Sequence, residues 1–169
     1  AIRSARQICE RNKLAIDLRR QDTPEDIFHG VIQPDDFFHV TLCNPPFHSS
    51  IEKATKGTRR KWAGLGKGRS AKLNFGGQGA ELCYPGGEIR FIARMVEQST
   101  MFADQCLWFT SLVSKKDNLQ PLARILRKAK VADTKVIDMA QGQKTSRFVA
   151  WTFKAPNQRS AGFFRKPPG

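Results

Sequence analysis

The segment CNPPFH, residues 43–48, places an amide, two prolines and an aromatic ring directly after the apolar run HVTL. Each proline lacks a main-chain donor, fixes its own φ and pushes the preceding residue towards an extended conformation. Because this segment is stiff, the side-chain oxygen of Asn44 and the carbonyl oxygen of Pro45 can accept both hydrogens of one exocyclic amino group. The side chain of Phe47 can then stack on the aromatic ring of the substrate that carries this amino group.

Such a pair of acceptors can activate an aromatic amine, which is a poor nucleophile because its lone pair is delocalised into the ring. Acceptors that hold the two hydrogens out of plane favour a pyramidal nitrogen whose lone pair points at an electrophile. They also stabilise the positive charge that develops in the transition state, so no general base at the nitrogen is required. On the local string alone, a proline-rich turn with Asn44 as a turn residue stays open as the simpler interpretation.

The charge of the chain favours a polyanionic partner. The 169 residues include 29 Lys and Arg against 15 Asp and Glu, which gives a net charge of +14. Nucleic acid is the first candidate, and a solvated basic surface without a ligand is the alternative. The length predicts a single domain, and the ordinary globular composition excludes a disordered or fibrous protein.

The cysteines and histidines predict no metal ion. Four scattered cysteines without Cys-x-x-Cys spacing and three histidines do not form a zinc motif. Each cysteine lies among apolar neighbours and no secretory signal precedes them, so we expect reduced, mostly buried thiols in a cytoplasmic protein. No apolar run approaches the roughly 20 residues that span a bilayer, and we expect no membrane partner.

Hydrophobic periodicity predicts helices that alternate with strands. The helices are expected at residues 1–12, from Gly86 onwards and at 118–130. The strands are expected at LAIDL (14–18), FFHVTLC (37–43), CLWFTSLVS (106–114), KVIDM (135–139) and RFVAWTF (147–153), the last two joined by the polar connection AQGQKTS. A long basic loop fills residues 49–79, and the residues after Lys154 are expected to be disordered.

This order of elements predicts an α/β sheet that is mainly parallel, with one antiparallel strand near its C-terminal edge. Such sheets bind ligands beyond the carboxyl ends of their strands. Asn44 follows a predicted strand and therefore lies at such an end.

Six strings in one order resemble a known family, and the NPPF segment matches its motif IV. The strings are CNPPFHSS, GTRRK, LNFGGQGAEL, GGEIRFIARM, WFTSLVS and MAQGQKTSRFVAWTF. They resemble the bacterial 23S ribosomal RNA adenine-N6-methyltransferase family, which is related to the eukaryotic enzyme that methylates U6 small nuclear RNA. The similarity covers residues 1–154, and it implies the C-terminal portion of a Rossmann-like class I S-adenosylmethionine-dependent methyltransferase domain. Residues 155–169 would form a flexible basic tail.

The resemblance implies methylation at N6 of one adenosine in 23S rRNA, either as free RNA or in a ribosomal assembly particle, with S-adenosylmethionine as the cofactor. Asn44, Pro45 and Phe47 would form the site for the target adenine, and Pro46 would hold the loop. Gln21, just after the LAIDL strand, and Asn44 would face the cofactor, although Gln21 can equally be an exposed loop residue.

The same resemblance implies that the target base leaves its stack, because N6 of a stacked adenosine cannot reach the cofactor. Basic side chains would hold the RNA phosphates while the base is flipped. The residues assigned to this role are Arg59, Arg60, Lys61, Lys67, Arg69, Lys144 and Arg147.

The sequence departs from the family in one respect, because the cofactor signature is missing. Nothing before LAIDL supplies the usual strand, glycine-rich turn and acidic residue. The pairs Gly76-Gly77 and Gly86-Gly87 do not follow strands in the required way. We expect the chain to begin at the helix after the second strand, with the N-terminal strands absent and apolar surface exposed near LAIDL.

Two rival functions stay open on the sequence. Methylation of a glutamine N5 in a protein uses a similar Asn-Pro-Pro-aromatic site, because an amide nitrogen has the same delocalised lone pair. The net charge of +14 favours RNA over this protein substrate. The other rival is a non-catalytic RNA-binding module.

Overall fold

The structure is a computed structural model that describes residues 2–46, Ser49, 83–141 and 144–163. Two short 3₁₀ helices span Thr100–Phe102 and Lys116–Asn118. The helices are α1 (Ile2–Arg11), α2 (Gly87–Ser99), α3 (Leu119–Lys128) and α4 (Pro156–Phe163), and the strands are β1 (Phe38–Val40), β2 (Cys106–Val113), β3 (Asp133–Gln141) and β4 (Lys144–Thr152). Among the described helices, none combines the length and apolar character needed to span a membrane.

The four strands form one sheet in the order β1-β2-β4-β3. β1 pairs with β2 in parallel, and Val40 lies opposite Trp108. β4 runs antiparallel to both of its neighbours, so β1, β2 and β3 share one direction. This confirms the predicted α/β sheet that is mainly parallel, with an antiparallel strand beside its C-terminal edge. The carboxyl ends of β1 and β2 consequently lie at the same edge of the sheet.

Helices α2 and α3 cover one face of this sheet. Buried residues on each helix recur at intervals of three or four, as expected for an amphipathic helix. Trp151 of β4 is fully buried, and its indole Nε1 donates a hydrogen bond of 3.0 Å to Ser99 Oγ. The core residues shared by these elements are Ile92, Met95, Val96, Phe109, Val113, Leu122, Leu126, Val149 and Trp151.

The predicted strand at LAIDL is wrong, because residues 14–18 form no strand in the described part of the chain. A strand exists only where a neighbour supplies ladder hydrogen bonds, and the Ile16 amide instead donates to the Leu14 carbonyl at 3.0 Å. The side chains of Leu14 and Ile16 are about half exposed, as are Ile8 of α1 and Val40 of β1. Apolar surface is therefore exposed near LAIDL, as expected.

The C-terminal segment departs from the prediction of disorder, since Pro156–Phe163 form α4. Proline is favoured in the first turn of a helix, where its missing N–H leaves no hydrogen bond unmade. Arg159 then docks the helix through an ion pair of 2.6 Å with Asp133 and lies 5.1 Å from the centre of the Trp108 ring. Residues 164–169 lie outside the described residues.

The connection between the last two strands is also shorter than the predicted AQGQKTS. Its first residues extend β3 to Gln141, and its last residues begin β4 at Lys144. The residues at both ends of this string are polar, so the sequence did not predict that they belong to strands. The pairing of β3 with β4 continues to the Gln141–Lys144 pair.

Candidate active site

The chain between β1 and Asn44 continues along β2 towards its carboxyl end. The hydroxyl of Thr110 donates to the Thr41 carbonyl at 2.5 Å, and the Leu112 amide donates to the Cys43 carbonyl at 2.9 Å. Leu112 is the penultimate residue of β2. These contacts place Asn44 at the carboxyl edge of the sheet, where α/β proteins bind their ligands.

The residues that follow differ sharply in burial. Asn44 is exposed, whereas Pro45 is fully buried and Pro46 is half-buried. The side-chain amide of Asn44 forms no hydrogen bond to any other residue that the structure describes. A buried proline directly after it anchors the backbone, so the amide is held at the edge with its oxygen available to a ligand. Phe47, the predicted ring contact, lies outside the described residues.

A buried carboxylate organises the same edge. Glu88 is 2% exposed and lies in the first turn of α2, beside the end of β2. Its carboxylate accepts hydrogen bonds from the Ser114 amide at 2.7 Å, the Lys115 amide at 3.4 Å and Asn118 Nδ2 at 2.5 Å. A buried charge requires such partners, and the N-terminus of a helix adds a favourable dipole. Glu88 therefore fixes the turn that follows β2.

The pair Gly86-Gly87 forms the start of α2. Both residues have positive φ, 85° and 71°, a conformation that glycine adopts without strain. A Cβ on Gly87 would lie 3.6 Å from the Cβ of Ser49, and one on Gly86 would lie 2.7 Å from Arg90 Cδ. The glycine pair therefore allows α2 to begin against the segment that follows the two prolines.

Gln21, predicted to face the cofactor, braces its own loop. Its Nε2 donates to the His29 carbonyl at 2.7 Å, and its Oε1 accepts from the Thr23 amide at 2.9 Å. Counting only the described residues, Nε2 and Oε1 each keep one further hydrogen-bonding position, because a primary amide offers two donors and an oxygen with two lone pairs.

The basic residues predicted to bind RNA fall into two groups. Arg147 lies opposite Val113 at the carboxyl edge, but its side chain is only 15% exposed and pairs with Asp138 at 3.0 Å. Lys144 begins β4 at the hairpin beyond that edge. The others lie outside the described residues: Arg59, Arg60, Lys61, Lys67 and Arg69.

Three further residues lie at this edge that were not predicted from the sequence, namely Glu88, Lys115 and Lys116. The two lysines are exposed and directly follow the Ser114 turn. The sequence could have predicted the position of the two lysines, because SKKDN follows a predicted strand and therefore lies at its carboxyl end. No such signal marked Glu88, which reads as an ordinary residue in the first turn of a helix. In the described part of the chain, no three His, Cys, Asp or Glu residues converge as metal ligands.

The alkylation rate of the Cys43 thiol measures how tightly the segment before Asn44 is packed. Burial raises the pKa of Cys43 to about 11, while a hydrogen bond with Ser111 opposes that rise. The thiol is thus protonated near neutrality, and only thiolate is nucleophilic. We expect iodoacetamide at pH 8 to alkylate Cys43 at least about tenfold more slowly than an ordinary thiol.

The control is Cys9 of α1, which is also half-buried. Mass spectrometry of timed samples gives the rate at each cysteine, and unfolding in urea should make the two rates equal. Equal rates in the native protein would contradict the packing of Cys43 against β2.

Comparison with known proteins identifies the family. Residues 1–155 match a family model described as RNA methyltransferase. The chain is 53% identical over 153 residues to a ribosomal RNA large subunit methyltransferase F from Pseudoalteromonas translucida, a match that covers 90% of this chain and 49% of that protein. A protein of the same name from Pseudomonas aeruginosa is 54% identical over 151 residues, covering 87% of this chain and 45% of the relative. The chain spans about half the length of these curated relatives.

Solved structures share the fold at low sequence identity. The human METTL16 catalytic domain in complex with MAT2A 3′UTR hairpin 1 has a TM-score of 0.73 at 22% identity, over 92% of this chain and 53% of that one. The N-terminal domain of human METTL16 in complex with SAH has a TM-score of 0.61 at 20% identity, over 91% and 48%. The fold is therefore that of these Rossmann-like methyltransferase domains, and the chain belongs to the RNA methyltransferase family.

Proposed function

We propose that the protein containing this chain transfers a methyl group from S-adenosylmethionine to N6 of one adenosine in 23S ribosomal RNA. The observation that carries the proposal is the exposed Asn44 amide, anchored by buried Pro45 at the carboxyl edge of the sheet. The name of the relatives, ribosomal RNA large subunit methyltransferase, supports the substrate. Pro46 would keep the segment stiff, and Phe47 would lie against the adenine ring.

The chain's own residues would act on the amino group. The Asn44 side-chain oxygen and the Pro45 carbonyl accept the two N6 hydrogens, which turns the nitrogen lone pair towards the methyl group. When bound, S-adenosylmethionine supplies that methyl group on a positively charged sulfur. During methyl transfer, the same two acceptors would stabilise the positive charge that develops on N6. One N6 proton then passes to solvent, so no side-chain base is needed.

The described residues fit only the side of the cofactor that faces the substrate. Among the described residues, the side-chain amide of Asn44 has no hydrogen-bond partner, and Gln21 keeps one donor and one acceptor position after its loop contacts. No glycine-rich turn after a strand occurs between residues 2 and 46, where such a motif would precede Asn44. The SAH complex of human METTL16, a protein of the same fold, supports S-adenosylmethionine as the cofactor.

An RNA substrate agrees with both charge and family. The net charge of +14 suits a phosphate backbone, whereas a glutamine in a protein would gain nothing from it. The human METTL16 domain that shares the fold was solved with an RNA hairpin. RNA-specific enzymes act on unstacked bases, and the exposure of Asn44 is consistent with contact to a flipped adenosine.

The direct test is methyl transfer by the full-length protein. Labelled S-adenosylmethionine would be incubated with unmodified 23S rRNA, with ribosomal assembly particles and with a glutamine-bearing protein substrate. We expect label in RNA, recovered as N6-methyladenosine after digestion to nucleosides. Label in protein alone would identify a glutamine methyltransferase, and RNA binding without any transfer would identify a non-catalytic module.

Replacing Arg59 and Arg60 together with alanine should weaken RNA binding and flatten its dependence on salt. Each lost contact with a single-stranded phosphate lowers the slope of log K against log salt by about 0.7, so the pair should remove about 1.4. S-adenosylmethionine affinity should be unaltered. The control removes two arginines from the exposed face of α3, Arg124 and Arg127. If the double variant at 59 and 60 keeps the wild-type slope, this pair does not contact the RNA phosphates.

A further inference from the structure

We propose that Lys115 and Lys116 form a phosphate-binding site for the RNA strand next to the target adenosine, and that Glu88 positions them. This inference rests on the proposed function and names a part of the protein that contacts the substrate. Both lysines follow Ser114, the first residue after β2, at the edge of the sheet that carries Asn44. Phosphate contacts of this kind fix the register of a nucleic acid without reading its sequence.

The two ammonium groups are available to a ligand. Both residues are exposed, and neither forms an ion pair with any residue in the described ranges. Arg147, which lies at the same edge, is instead paired with Asp138. Asp117 follows the lysines and pairs with neither. Two unpaired charges side by side suit consecutive phosphates of one strand.

The distance to the candidate active site is short. The Leu112 amide donates to the Cys43 carbonyl at 2.9 Å, and Cys43 directly precedes Asn44. Lys115 lies three residues beyond Leu112, so even an extended chain keeps its backbone within roughly 15 Å of Asn44. The four-carbon side chain of each lysine spans much of that gap. A strand whose adenosine lies at Asn44 therefore passes within reach of the two ammonium groups.

Glu88 holds the turn on both sides of the lysine pair, through backbone amides at Ser114 and Lys115 and through the side chain of Asn118. Because these donors point inwards at a carboxylate that is 2% exposed, the backbone of the turn is fixed from its buried side. A fixed backbone lowers the entropy lost when the lysines engage phosphates. Glu88 is thus a positioning residue that acts through the turn.

The test compares two double variants of the full-length protein that lose the same charge. Lys115→Ala with Lys116→Ala removes the proposed site, and Arg127→Ala with Lys128→Ala removes two exposed cations from the last turn of α3. Fluorescence anisotropy against salt would use an RNA fragment that the wild type methylates. We expect the lysine variant to lose about tenfold in affinity and about 1.4 in salt slope. Its KM for RNA should rise with kcat nearly unchanged, whereas the control should keep its slope.

A second variant separates positioning by Glu88 from general stability. Glu88→Gln should lower the salt slope at a temperature where circular dichroism shows a folded protein. In the background that already lacks Lys115 and Lys116, the same change should lower the slope no further, because its effect acts through those lysines. An additive effect of the two changes would overturn the positioning role.

The outcomes distinguish this inference from the proposed function. If the lysine variant matches the control in slope and affinity while the wild type methylates RNA, the phosphate site is wrong and the function stands. If the wild type neither binds nor methylates RNA, both are wrong. If the slope falls only in the lysine variant, the site is supported.

Discussion

Replacing Asn44 with alanine should lower the turnover number for RNA methylation by about two to three powers of ten, the usual effect of losing one preorganised acceptor or donor in a transition state. The Asn44 amide is exposed at the carboxyl edge and has no partner among the described residues. Its removal therefore leaves the fold intact while one of the two acceptors for the N6 hydrogens disappears. Pro45 would still supply its carbonyl, which explains why some activity should remain.

The measurement is single-turnover methyl transfer, together with the affinities for RNA and for S-adenosylmethionine. Asn44→Asp is the informative companion, because a carboxylate of the same length still accepts hydrogen bonds. It should retain far more activity than the alanine variant. Turnover unchanged in Asn44→Ala would show that the acceptor mechanism is wrong. If the wild type binds RNA but transfers no methyl group, the chain belongs to a binding module instead.

Replacing Glu88 with alanine should destabilise the folded protein by about 3 kcal/mol, because each hydrogen bond to a charged acceptor contributes about 1.5–3 kcal/mol and the partial exposure of the donors reduces the sum. Three donors meet this carboxylate: the Ser114 and Lys115 amides and Asn118 Nδ2. All three donors gain some compensation from water, since Ser114 and Lys115 are exposed and Asn118 is half-buried. The end of β2 would lose its connection to the start of α2.

Glu97→Ala is the matched control, since Glu97 lies on the same helix but is exposed and pairs only with Arg94 among the described residues. A surface pair of this kind contributes about 0–1 kcal/mol. Urea unfolding would give both free energies, and the Glu88 variant should also melt about 6–12 °C lower if one kcal/mol shifts the midpoint by about 2–4 °C. A Glu88 variant as stable as the Glu97 variant would mean that Glu88 does not fix the turn after β2.

Local sequence determined the type and order of the elements that make the sheet. β2, β3, β4 and the helices α1, α2 and α3 all fall where periodicity and strand-forming residues predict them, with ends shifted by a few residues. Local sequence also predicted that Asn44 follows a strand at the carboxyl edge, although β1 ends at Val40, three residues before the predicted end at Cys43. The net charge and the NPPF segment sufficed to suggest RNA and an activated amino group. These properties depend on neighbours along the chain.

Tertiary structure decided what depends on neighbours in space. LAIDL has the composition of a strand, but without a partner for its backbone it forms none in the described part of the chain. Helix α4 forms after Lys154 because Arg159 meets Asp133 and Trp108, two residues far away in sequence. Glu88 looks like any acidic residue in a first helical turn until the end of β2 buries it and supplies three donors. Sequence patterns report periodicity and stiffness, whereas burial and pairing between distant residues arise only when the chain folds.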